Sequence, residues 1–366
     1  MLALNAGSSS LKCAVFTLDA EPTQVWSRAI SRSETTPATV VEQVFAAIDG
    51  DLDHCALAGI VHRVVHGGER FDRAQRVTME TIAGLRELLP LAPNHLPDEI
   101  ALIDACSRAR PGTPQVVCFD TAFHRDLPAI SRTLAVPHLA GLRRYGFHGL
   151  SFAFLLSELG KIDGNEALGR VVLAHLGSGA SLAAVVGGRC VDTSMGLTPS
   201  GGVVMSSRSG DLDPGVVTYL ARQHGWSIDQ IDHALTTESG LVAISGGTAD
   251  MQALLAHEAS DPRARLAVDI FCYQVRKWIG AFAAALGGLD TLVFAGGIGE
   301  HAPLVRARIC QDLGFLGVRL DGAQNARNAS IISTSAAGAR VRVIPTNEAL
   351  MMAREAYQVL RNGGST

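Results

Sequence analysis

Charged and aromatic residues are scarce in this sequence. Of its 366 residues, 18% are charged and 5% are aromatic, whereas 47% are hydrophobic. This hydrophobic fraction excludes a disordered chain, because disordered chains bury too little apolar surface to fold. The net charge of −4 at pH 7 excludes a global basic field, so we expect neither nucleic acid nor a membrane as a partner. An anionic ligand would therefore have to be bound by positively charged residues at its own site.

Paired cysteines are missing, and we expect neither a signal peptide nor a membrane span. The seven cysteines contain no CxxC pair, which is typical of reduced thiols in a cytosolic protein and not of a disulfide framework or a zinc site. The opening MLALNAGSSS lacks a basic n-region and a long apolar run. The most apolar long window, residues 279–298, is interrupted by Asp290 and several glycines. These patterns predict a cytoplasmic protein.

The chain is longer than one compact core usually supports, which predicts two domains. A strand–turn–strand pattern at its start, LALNAGSSSLKCAVFTL, recurs as VVLAHLGSGASLAAVVGGR about 170 residues later. The two copies align without gaps, which places Asn5 with His175 and Gly7 with Gly177. The repeat predicts a duplicated domain, with each loop directed into a cleft between the domains.

Three loops combine glycine with small or hydroxyl side chains. NAGSSSLK and HLGSGAS follow strand patterns and offer hydroxyl and backbone N–H groups that suit a phosphate, and Lys12 adds a charge. Alone, the first of these has about even odds of being a serine-rich hairpin tip. FAGGIGEH follows a strand and precedes a helix, and its glycines allow a ligand to approach the backbone closely. No G-x-x-x-x-G-K-[ST] motif is present, which excludes a Walker A enzyme.

The longest polar segment is GLTPSGGVVMSSRSGDLDPG, residues 196–215, which has neither a helical nor a strand period. A loop of this kind in an apolar chain is usually either disordered or built around a ligand. Its aspartates lead into a predicted helix through Pro214. This favours a loop built around a ligand over a disordered loop. We interpret the loop as one wall of a site for an anionic substrate, with Arg208 directed at that substrate.

Isolated polar residues on apolar strands and at a helix start are further candidates. Arg63 lies in IVHRVV, where a charge is costly unless it is paired or used; the alternative is an edge-strand arginine facing water. Asp120 ends the strand QVVCF, the usual place of a catalytic carboxylate in α/β proteins. His148 stands between two glycines at a helix start and is either an anion donor or a buried structural histidine. No HxxxH pattern falls on a predicted helix, so we do not expect a histidine metal site.

Helical patterns fill much of the second half of the chain. We expect helices over residues 213–224 and 227–237, the second capped by Ser227, and a final helix from 347 to 360. Residues 261–286 predict a long core helix. Its apolar stripe consists of Ala267, Ile270, Phe271, Trp278, Phe282, Ala285 and Leu286.

Taken together, these residues predict phosphoryl transfer, and the sequence resembles the acetate kinase family over nearly its whole length. Phosphoryl transfer needs positioned cations and N–H donors, with a metal on the nucleotide. The resemblance rests on nine motifs in order: NAGSSSLK, HRVVHGGE, CFDTAFH, RYGFHGLS, AHLGSGASL, DTSMGLTP, SRSGDLDPG, FAGGIGE and PTNE. It implies an α/β fold of two duplicated ribonuclease H-like domains, with mixed five-stranded sheets and an interdomain cleft, as in the sugar kinase/actin/heat-shock chaperone superfamily. The first domain is expected over residues 1–124 and 349–366 and the second over 125–348.

The resemblance also implies roles for individual residues. Arg63 and Arg208 clamp the carboxylate and the transferring phosphoryl group, His148 stabilises the transition state, and Asp120 lies near the acyl substrate. Asn5 and Glu348 hold Mg²⁺ or Mn²⁺, although Glu348 could also be a first-turn carboxylate that complements a helix dipole. The implied ATP-binding residues are Ser8, Ser10, Lys12, His175, Gly177, Ser178, Gly179, Asp250, Gly296, Gly297, Ile298 and Gly299. The implied acyl-substrate residues are Arg63, Val65, Asn94, His95, Phe147 and Pro199.

The implied reaction is the reversible, in-line transfer of the ATP γ-phosphate to acetate or propionate, catalysed by a homodimer. Two alternatives stay open: a kinase for another short acid, such as butyrate or a hydroxy acid, and a non-enzymatic ATP-switch module of the same superfamily. A switch module would have no use for a second clamp of Arg63, Arg208 and His148 facing an acyl group.

Two departures from the family bear on specificity. Asn94 stands where the family usually has leucine, and Leu96 stands at the usual asparagine. An unsatisfied amide facing a methyl group costs roughly 1–3 kcal/mol, so Asn94 predicts a larger or hydroxylated acid. Gln252 replaces the arginine that usually covers the adenine, which predicts weaker or less base-selective nucleotide binding.

Overall fold

The computed structural model describes residues 1–7, 10–31, 36–52, 56–137, 139–164 and 168–362. They form two compact units. Unit 1 contains Met1–Arg125, Phe147–Phe154 and the chain from Asn347 onwards, and unit 2 contains Asp126–Gly146 and Leu155–Thr346. The expected domain boundaries stay a prediction, and Phe147–Phe154 belongs to unit 1 although unit 2 residues flank it in the sequence.

Unit 1 is built on a six-stranded sheet. Its strands are β1 (Leu2–Ala6), β2 (Ser10–Phe16), β3 (Gln24–Ser31), β4 (Ile60–Val64), β5 (Gln75–Arg76) and β6 (Gln115–Phe119). They lie in the order β3-β2-β1-β4-β6-β5. β1, β2 and β3 are antiparallel neighbours, whereas β4 and β6 run parallel to β1. The expected five strands are wrong for this sheet, because the two-residue β5 pairs with the outer edge of β6.

Helices cover both faces of this sheet. They are α1 (Pro37–Asp51), α2 (Met79–Glu87), α3 (Leu96–Ala109) and α14 (Glu348–Asn362), with short 3₁₀ turns at Leu89–Leu91 and Ala122–His124. Alternate residues of β1 point to opposite faces: Leu2 and Leu4 pack in a cluster with α1 and α3, and Ala3 packs in a cluster with α14. Since both faces are buried, most residues of the central strands are apolar.

Unit 2 contains a five-stranded sheet with the same plan. Its strands are β7 (Arg170–Leu176), β8 (Ala180–Val186), β9 (Arg189–Thr193), β10 (Thr291–Ala295) and β11 (Arg340–Val343). The order β11-β10-β7-β8-β9 repeats β6-β4-β1-β2-β3, with an antiparallel hairpin pair on one side of the first strand and two parallel strands on the other. The predicted duplication is therefore confirmed.

The gapless alignment of the two hairpins is wrong at the turn. Ala6 pairs with Leu11 across residues 7–10, whereas Leu176 pairs with Ala180 across residues 177–179. The second turn is shorter, so side chains after it shift by one position relative to the first copy.

The remaining helices surround the second sheet or connect to it. They are α4 (Ala129–Arg132), α5 (Gly149–Asp163), α6 (Pro214–His224), α7 (Ile228–Thr237), α8 (Gly240–Ser245), α9 (Met251–His257), α10 (Pro262–Leu286), α11 (Gly296–His301), α12 (Pro303–Cys310) and α13 (Gly322–Ala326), with a 3₁₀ turn at Gly314–Leu316. α5 contributes residues to both units. α10 packs against β7 and β8 and begins after its N-cap, Asp261. Within the described ranges, no helix is both long enough and apolar enough to cross a membrane.

Candidate active site

A buried ion pair joins two neighbouring parallel strands of unit 1. Arg63 lies in β4 and Asp120 directly follows β6. The Arg63 Nε lies 3.1 Å from both carboxylate oxygens of Asp120, and Nη2 lies 2.5 Å from Oδ2. Asp120 is completely buried. β4 is an interior strand between β1 and β6, so the interpretation of Arg63 as an edge-strand residue facing water is wrong.

Asn5 and Glu348 extend this pair into a cluster of four side chains. The Asn5 amide donates from Nδ2 to Glu348 Oε2 at 2.7 Å, across 343 residues of sequence. Arg63 Nη1 donates to Asn5 Oδ1 at 3.4 Å and to the carbonyl of Ala6 at 3.4 Å. Three parallel neighbouring strands and the first turn of α14 therefore bring these residues together at one edge of the sheet.

The cluster contains two carboxyl groups and one guanidinium group. Burial by itself would lower the pKa of Arg63, but Asp120 and Glu348 raise that pKa above its ordinary value, so the guanidinium is charged. Burial raises the pKa of Asp120, and Arg63 opposes this effect by stabilising the carboxylate. With both carboxyl groups ionised, two negative charges face one positive charge, and the residual negative charge suits a cation.

Phe147, His148 and Gly149 pack directly against Asp120. The Gly149 N–H donates to the Asp120 carbonyl at 2.9 Å, and a Cβ at Gly149 would lie only 2.0 Å from that oxygen. The backbone N–H of His148 helps to stabilise the Asp120 carboxylate. His148 is half-buried and has a φ of 56°, a left-handed conformation that is uncommon for a residue with a side chain and is found at functional sites.

Val65 and Phe147, two of the expected acyl-pocket residues, are buried beside this cluster. Val65 follows β4, and its N–H donates to both oxygens of the buried Glu99 in α3, at 3.2 and 3.1 Å. The ring of His66 meets the Phe147 ring edge-on at a centroid distance of 5.5 Å. Val65 and Phe147 therefore lie on either side of His66, which follows Val65 in the chain and contacts the Phe147 ring.

The exchanged pair Asn94 and Leu96 lies in two different environments. Asn94 is exposed immediately before the N-cap of α3, which is His95, and His95 itself is half-buried. Leu96 is fully buried in the hydrophobic core. In this structure the Asn94 amide therefore has access to water, and its expected contact with the acyl group stays a prediction.

In unit 2, the second and third glycine loops lie side by side. Gly177 closes a tight turn by donating its N–H to the Gly179 carbonyl at 3.0 Å. A Cβ at Gly177 would lie 3.8 Å from His175 Nε2 and 4.0 Å from the backbone nitrogen of Gly297. The carbonyl of Ser178 accepts the N–H of Ser206 at 3.1 Å, so the polar loop over residues 196–215 reaches the same place.

The third loop is itself the short helix α11. Gly296 has a φ of 76°, and a Cβ there would lie 2.7 Å from the Leu176 carbonyl, so only glycine fits between the loop and β7. Three of the four residues 296–299 are glycines, so this segment carries few side chains of its own.

Arg208 and Pro199 are brought together by the polar loop. Arg208 Nη1 donates to the Pro199 carbonyl at 3.0 Å and lies 3.6 Å from the Met205 sulfur. The loop is held by its own hydrogen bonds, since the Gly202 N–H donates to Asp211 Oδ1 at 2.7 Å. It is therefore an ordered segment, and its expected role as one wall of a site stays a prediction.

The other expected nucleotide residues have simpler surroundings. Asp250 is the exposed N-cap of α9 and accepts the Gln252 N–H at 3.1 Å, a local role that accounts for this side chain. Lys12 is exposed on β2 opposite Asn5, and Ser10 is half-buried at the start of β2. Ser8 lies outside the described residues.

Comparison with known proteins places these motifs in a family. The model of the Acetokinase family matches residues 38–354. An acetate kinase of Rhodopseudomonas palustris (strain ATCC BAA-98 / CGA009) is 41% identical, over 100% of this chain and 99% of that protein. This chain belongs to the acetokinase family.

Solved structures agree with the family assignment. The acetokinase described here is similar to the crystal structure of an acetate kinase from Porphyromonas gingivalis, with a TM-score of 0.88 and 32% identity over 98% of this chain and 99% of that one. It is also similar to a propionate kinase from Francisella tularensis subsp. tularensis SCHU S4, with a TM-score of 0.89 and 34% identity over 97% and 98% of the two chains.

Sequence reasoning missed several buried charges in this acetokinase, and one of them, Arg306, contacts the third glycine loop. Arg306 in α12 is completely buried, and burial lowers its pKa to about 10. It donates to the carbonyls of Gly299 and Glu300 at 2.8 and 3.0 Å, and also to Asn325 and Asn328. The only sequence signal was an arginine shortly after the third glycine loop, and most helical arginines in such a position are exposed.

Proposed function

We propose that this acetokinase transfers the γ-phosphate of ATP reversibly to a short carboxylate, acetate or propionate, giving ADP and an acyl phosphate. The observation that carries the proposal is the buried cluster of Asn5, Arg63, Asp120 and Glu348 in a chain 41% identical to an acetate kinase. Its similarity to structures of both an acetate kinase and a propionate kinase supports a short carboxylate as the acceptor.

Arg63 is the group in unit 1 that we assign to the anionic reactants. Asp120 binds its Nε and Nη2 and thereby orients the guanidinium, whereas Nη1 donates only over the longer distance of 3.4 Å. A carboxylate or phosphoryl oxygen would be a stronger acceptor for Nη1 than either present partner. We assign Arg208 the second position of the clamp.

Asp120 acts in this proposal as an orienting residue and not as a general base. Both of its oxygens are already bound to Arg63. The acceptor is a carboxylate, which is ionised at neutral pH and attacks the phosphoryl group without losing a proton. Catalysis then depends on positioned positive charge and N–H donors, and we assign the side chain of His148 to the transferring phosphoryl group.

The residues present fit a nucleotide-bound Mg²⁺ or Mn²⁺. Mg²⁺ is usually held by one or two carboxylates and by substrate phosphates. Glu348 and the side-chain oxygen of Asn5 would hold the ion, and the residual negative charge of the cluster favours it. The described residues contain no group of three or more His, Cys, Asp and Glu side chains placed to bind a metal by themselves, which is consistent with an ion that arrives with ATP. When bound, the metal would neutralise phosphate charge.

In unit 2, we assign the nucleotide to the two adjoining glycine loops. Residues 177–179 and 296–299 are mostly glycine, which lets a ligand approach their backbone closely, and His175 lies beside them. A homodimer is also proposed from the family resemblance. The helix α6 supports it, since none of its residues is buried and Tyr219 is 59% exposed. Light scattering at micromolar concentration would give the mass of one chain if this proposal is wrong.

A hydroxamate-trap assay tests the proposed reaction. Wild type and Arg208→Ala are incubated with Mg-ATP and acetate, propionate, butyrate, glycolate or lactate, and the acyl phosphate is captured. We expect product with a short acid and a loss of at least about 100-fold in the variant, because one clamp charge is missing in the transition state. Leu212→Ala, an exposed neighbour on the same loop, serves as the control.

The set of acids that the protein phosphorylates distinguishes the alternative functions. A clear preference for acetate would contradict a specificity role for Asn94, whereas activity confined to longer or hydroxylated acids would support it. ATP binding without product from any acid would replace the kinase by a switch module. Strict preference for ATP over GTP would contradict the expectation drawn from Gln252.

A further inference from the structure

One carboxylate oxygen in unit 2 connects two segments that the proposed function assigns to different ligands. Glu300 Oε1 accepts the N–H of Gly296 at 2.8 Å and the N–H of Thr346 at 3.0 Å. Gly296 opens the proposed nucleotide loop. Thr346 is the last residue before the chain passes into unit 1, and the proposed metal ligand Glu348 follows two residues later.

The strand order explains how these segments meet. β10 and β11 are adjacent and parallel, so the chain leaves both strands at the same edge of the sheet. Beyond the last strand pair, the Ile344 N–H still donates to the Phe294 carbonyl at 3.1 Å. The segment after β10 becomes the glycine loop, and the segment after β11 leads to Glu348.

Glu300 is held firmly at both its side chain and its backbone. The side chain is only 14% exposed. The buried Arg306 donates to the backbone carbonyls of Gly299 and Glu300. Gly296, one of the two donors, is wedged against β7 without room for a side chain. A displacement of either segment would therefore break hydrogen bonds to a largely buried carboxylate, which is costly.

A purely local role explains only half of these contacts. A carboxylate that accepts the first N–H of its own short helix is an ordinary capping interaction. Such a cap does not account for the bond to Thr346, which lies 46 residues further along the chain.

We propose that Glu300 is a positioning residue that couples the nucleotide loop to the metal ligand Glu348. The affinity for nucleotide and the enhancement of that affinity by Mg²⁺ are then set by the same carboxylate. This inference rests on the proposed function, because it takes residues 296–299 as the nucleotide loop and Glu348 as a metal ligand.

Calorimetric titration of ADP into the full-length protein tests the coupling without turnover. Affinities are measured with Mg²⁺ and with EDTA for wild type, Glu300→Gln and Glu300→Ala, and Glu238→Gln is the control because its side chain is 65% exposed. For Glu300→Ala we expect the Mg²⁺ enhancement to fall about 10-fold, since bonds to a charged acceptor are lost. Glu300→Gln keeps an oxygen acceptor, so its enhancement should fall only about 3-fold.

Two further readouts distinguish coupling from a general structural role. The KM for Mg-ATP should rise in Glu300→Ala while the KM for the carboxylate stays unchanged. In a Glu348→Gln background, which already lacks the metal ligand, Glu300→Ala should no longer change the Mg²⁺ enhancement.

Wild-type Mg²⁺ enhancement in Glu300→Ala would overturn the inference and leave Glu300 as a local cap. If that variant does not fold, Glu300→Gln decides in the same way, and an unchanged enhancement overturns the coupling. A wild-type protein that binds no ADP and phosphorylates no acid would instead refute the proposed function on which the coupling depends.

Discussion

Arg63 and Asp120 show how one residue pair can be both structural and functional. Burying a charged group is tolerated only when it is paired and hydrogen-bonded, and Asp120 pairs with Arg63 through both of its oxygens. The same pairing keeps the guanidinium charged and oriented at the strand ends, where an anionic reactant can meet it. The pair therefore contributes to stability and, in the proposed function, to substrate binding.

Asp120→Asn should destabilise the protein by about 3 kcal/mol, because it removes the charged hydrogen-bond partner of a buried guanidinium. The free energy of unfolding is measured by urea titration at pH 7. Asp72→Asn is the matched control, since Asp72 and its partner Arg73 are 44% and 74% exposed and such an exposed pair contributes little to stability. Equal unfolding midpoints for the two variants would contradict the structural role of Asp120.

His62 makes the stability of unit 1 depend on pH. It is buried in β4, its Nε2 lies 2.6 Å from Gln115 Oε1, and its Nδ1 is a buried atom without a hydrogen-bond partner. Burial lowers its pKa to about 4, and the hydrogen bond to Gln115 opposes this effect only in part. Gln115 Oε1 can only accept, so Nε2 carries a proton, and the lowered pKa keeps the ring neutral at pH 7.

The sign of this dependence follows from the lowered pKa. Below its ordinary pKa of about 6.5, the unfolded chain protonates His62 while the folded chain does not, so stability falls as the pH decreases towards 4. We expect His62 to contribute a loss of about 2 kcal/mol in unfolding free energy between pH 7 and pH 5. His62→Gln keeps the donor to Gln115 and removes the titration, so its loss over this range should be smaller by that amount. Parallel pH profiles for the two proteins would disprove the role of His62.

At the scale of elements, two glycines in helices have opposite environments. Gly149 begins α5 and lies so close to Asp120 that a methyl group must displace the Asp120 backbone. Gly280 lies within α10, and a Cβ there would meet nothing within 4 Å. The same substitution is therefore expected to have different effects at these two positions.

Gly149→Ala should reduce kcat by about 100-fold, since a small displacement of catalytic groups has an effect of this size. Gly280→Ala should leave kcat unchanged and stabilise the protein by about 0.5–1 kcal/mol, because alanine favours a helix. Acyl phosphate formation and thermal unfolding are measured for both variants. Wild-type kcat in Gly149→Ala would show that the contact with Asp120 does not position the reacting groups.

The helices also show what local sequence patterns can predict. Ser227 was predicted as the N-cap of the helix at 227–237, and it forms a capping box with Gln230 at the start of α7. α10 was predicted at 261–286 and extends from Pro262 to Leu286. Its buried face was predicted less well, because Phe271 and Phe282 are buried whereas Ala285 is exposed. Periodicity locates a helix, but the partner surface decides which of its sides is covered.

Short or weakly patterned elements were not predicted. β5 consists of only Gln75 and Arg76, which have no strand propensity, and it exists because the exposed edge of β6 offers backbone groups to pair with. The glycine loop after β10 precedes a helix as expected, because α12 follows it, but the sequence pattern does not predict that the loop itself forms the short helix α11.

At the scale of the whole molecule, the two sheets share one strand order but have different residues at their strand ends. In unit 1, the ends of β4 and β6 carry Arg63 and Asp120, so charge is concentrated there. In unit 2, the corresponding strand end after β10 carries the glycine loop, which has few side chains. Duplication of a scaffold thus preserved strand order while the residues at the strand ends diverged.

The sequence by itself determined the family, the two copies of the strand pattern and most of the catalytic candidates, because these depend on short motifs whose residues are neighbours in the chain. Only the tertiary structure decided which distant residues meet. Asn5 contacts Glu348 and Glu300 contacts Thr346 because strand order brings their ends to one edge of a sheet. In the sequence, Arg306 cannot be distinguished from an exposed helical arginine. Only tertiary packing buries it and brings it to the carbonyls of the glycine loop.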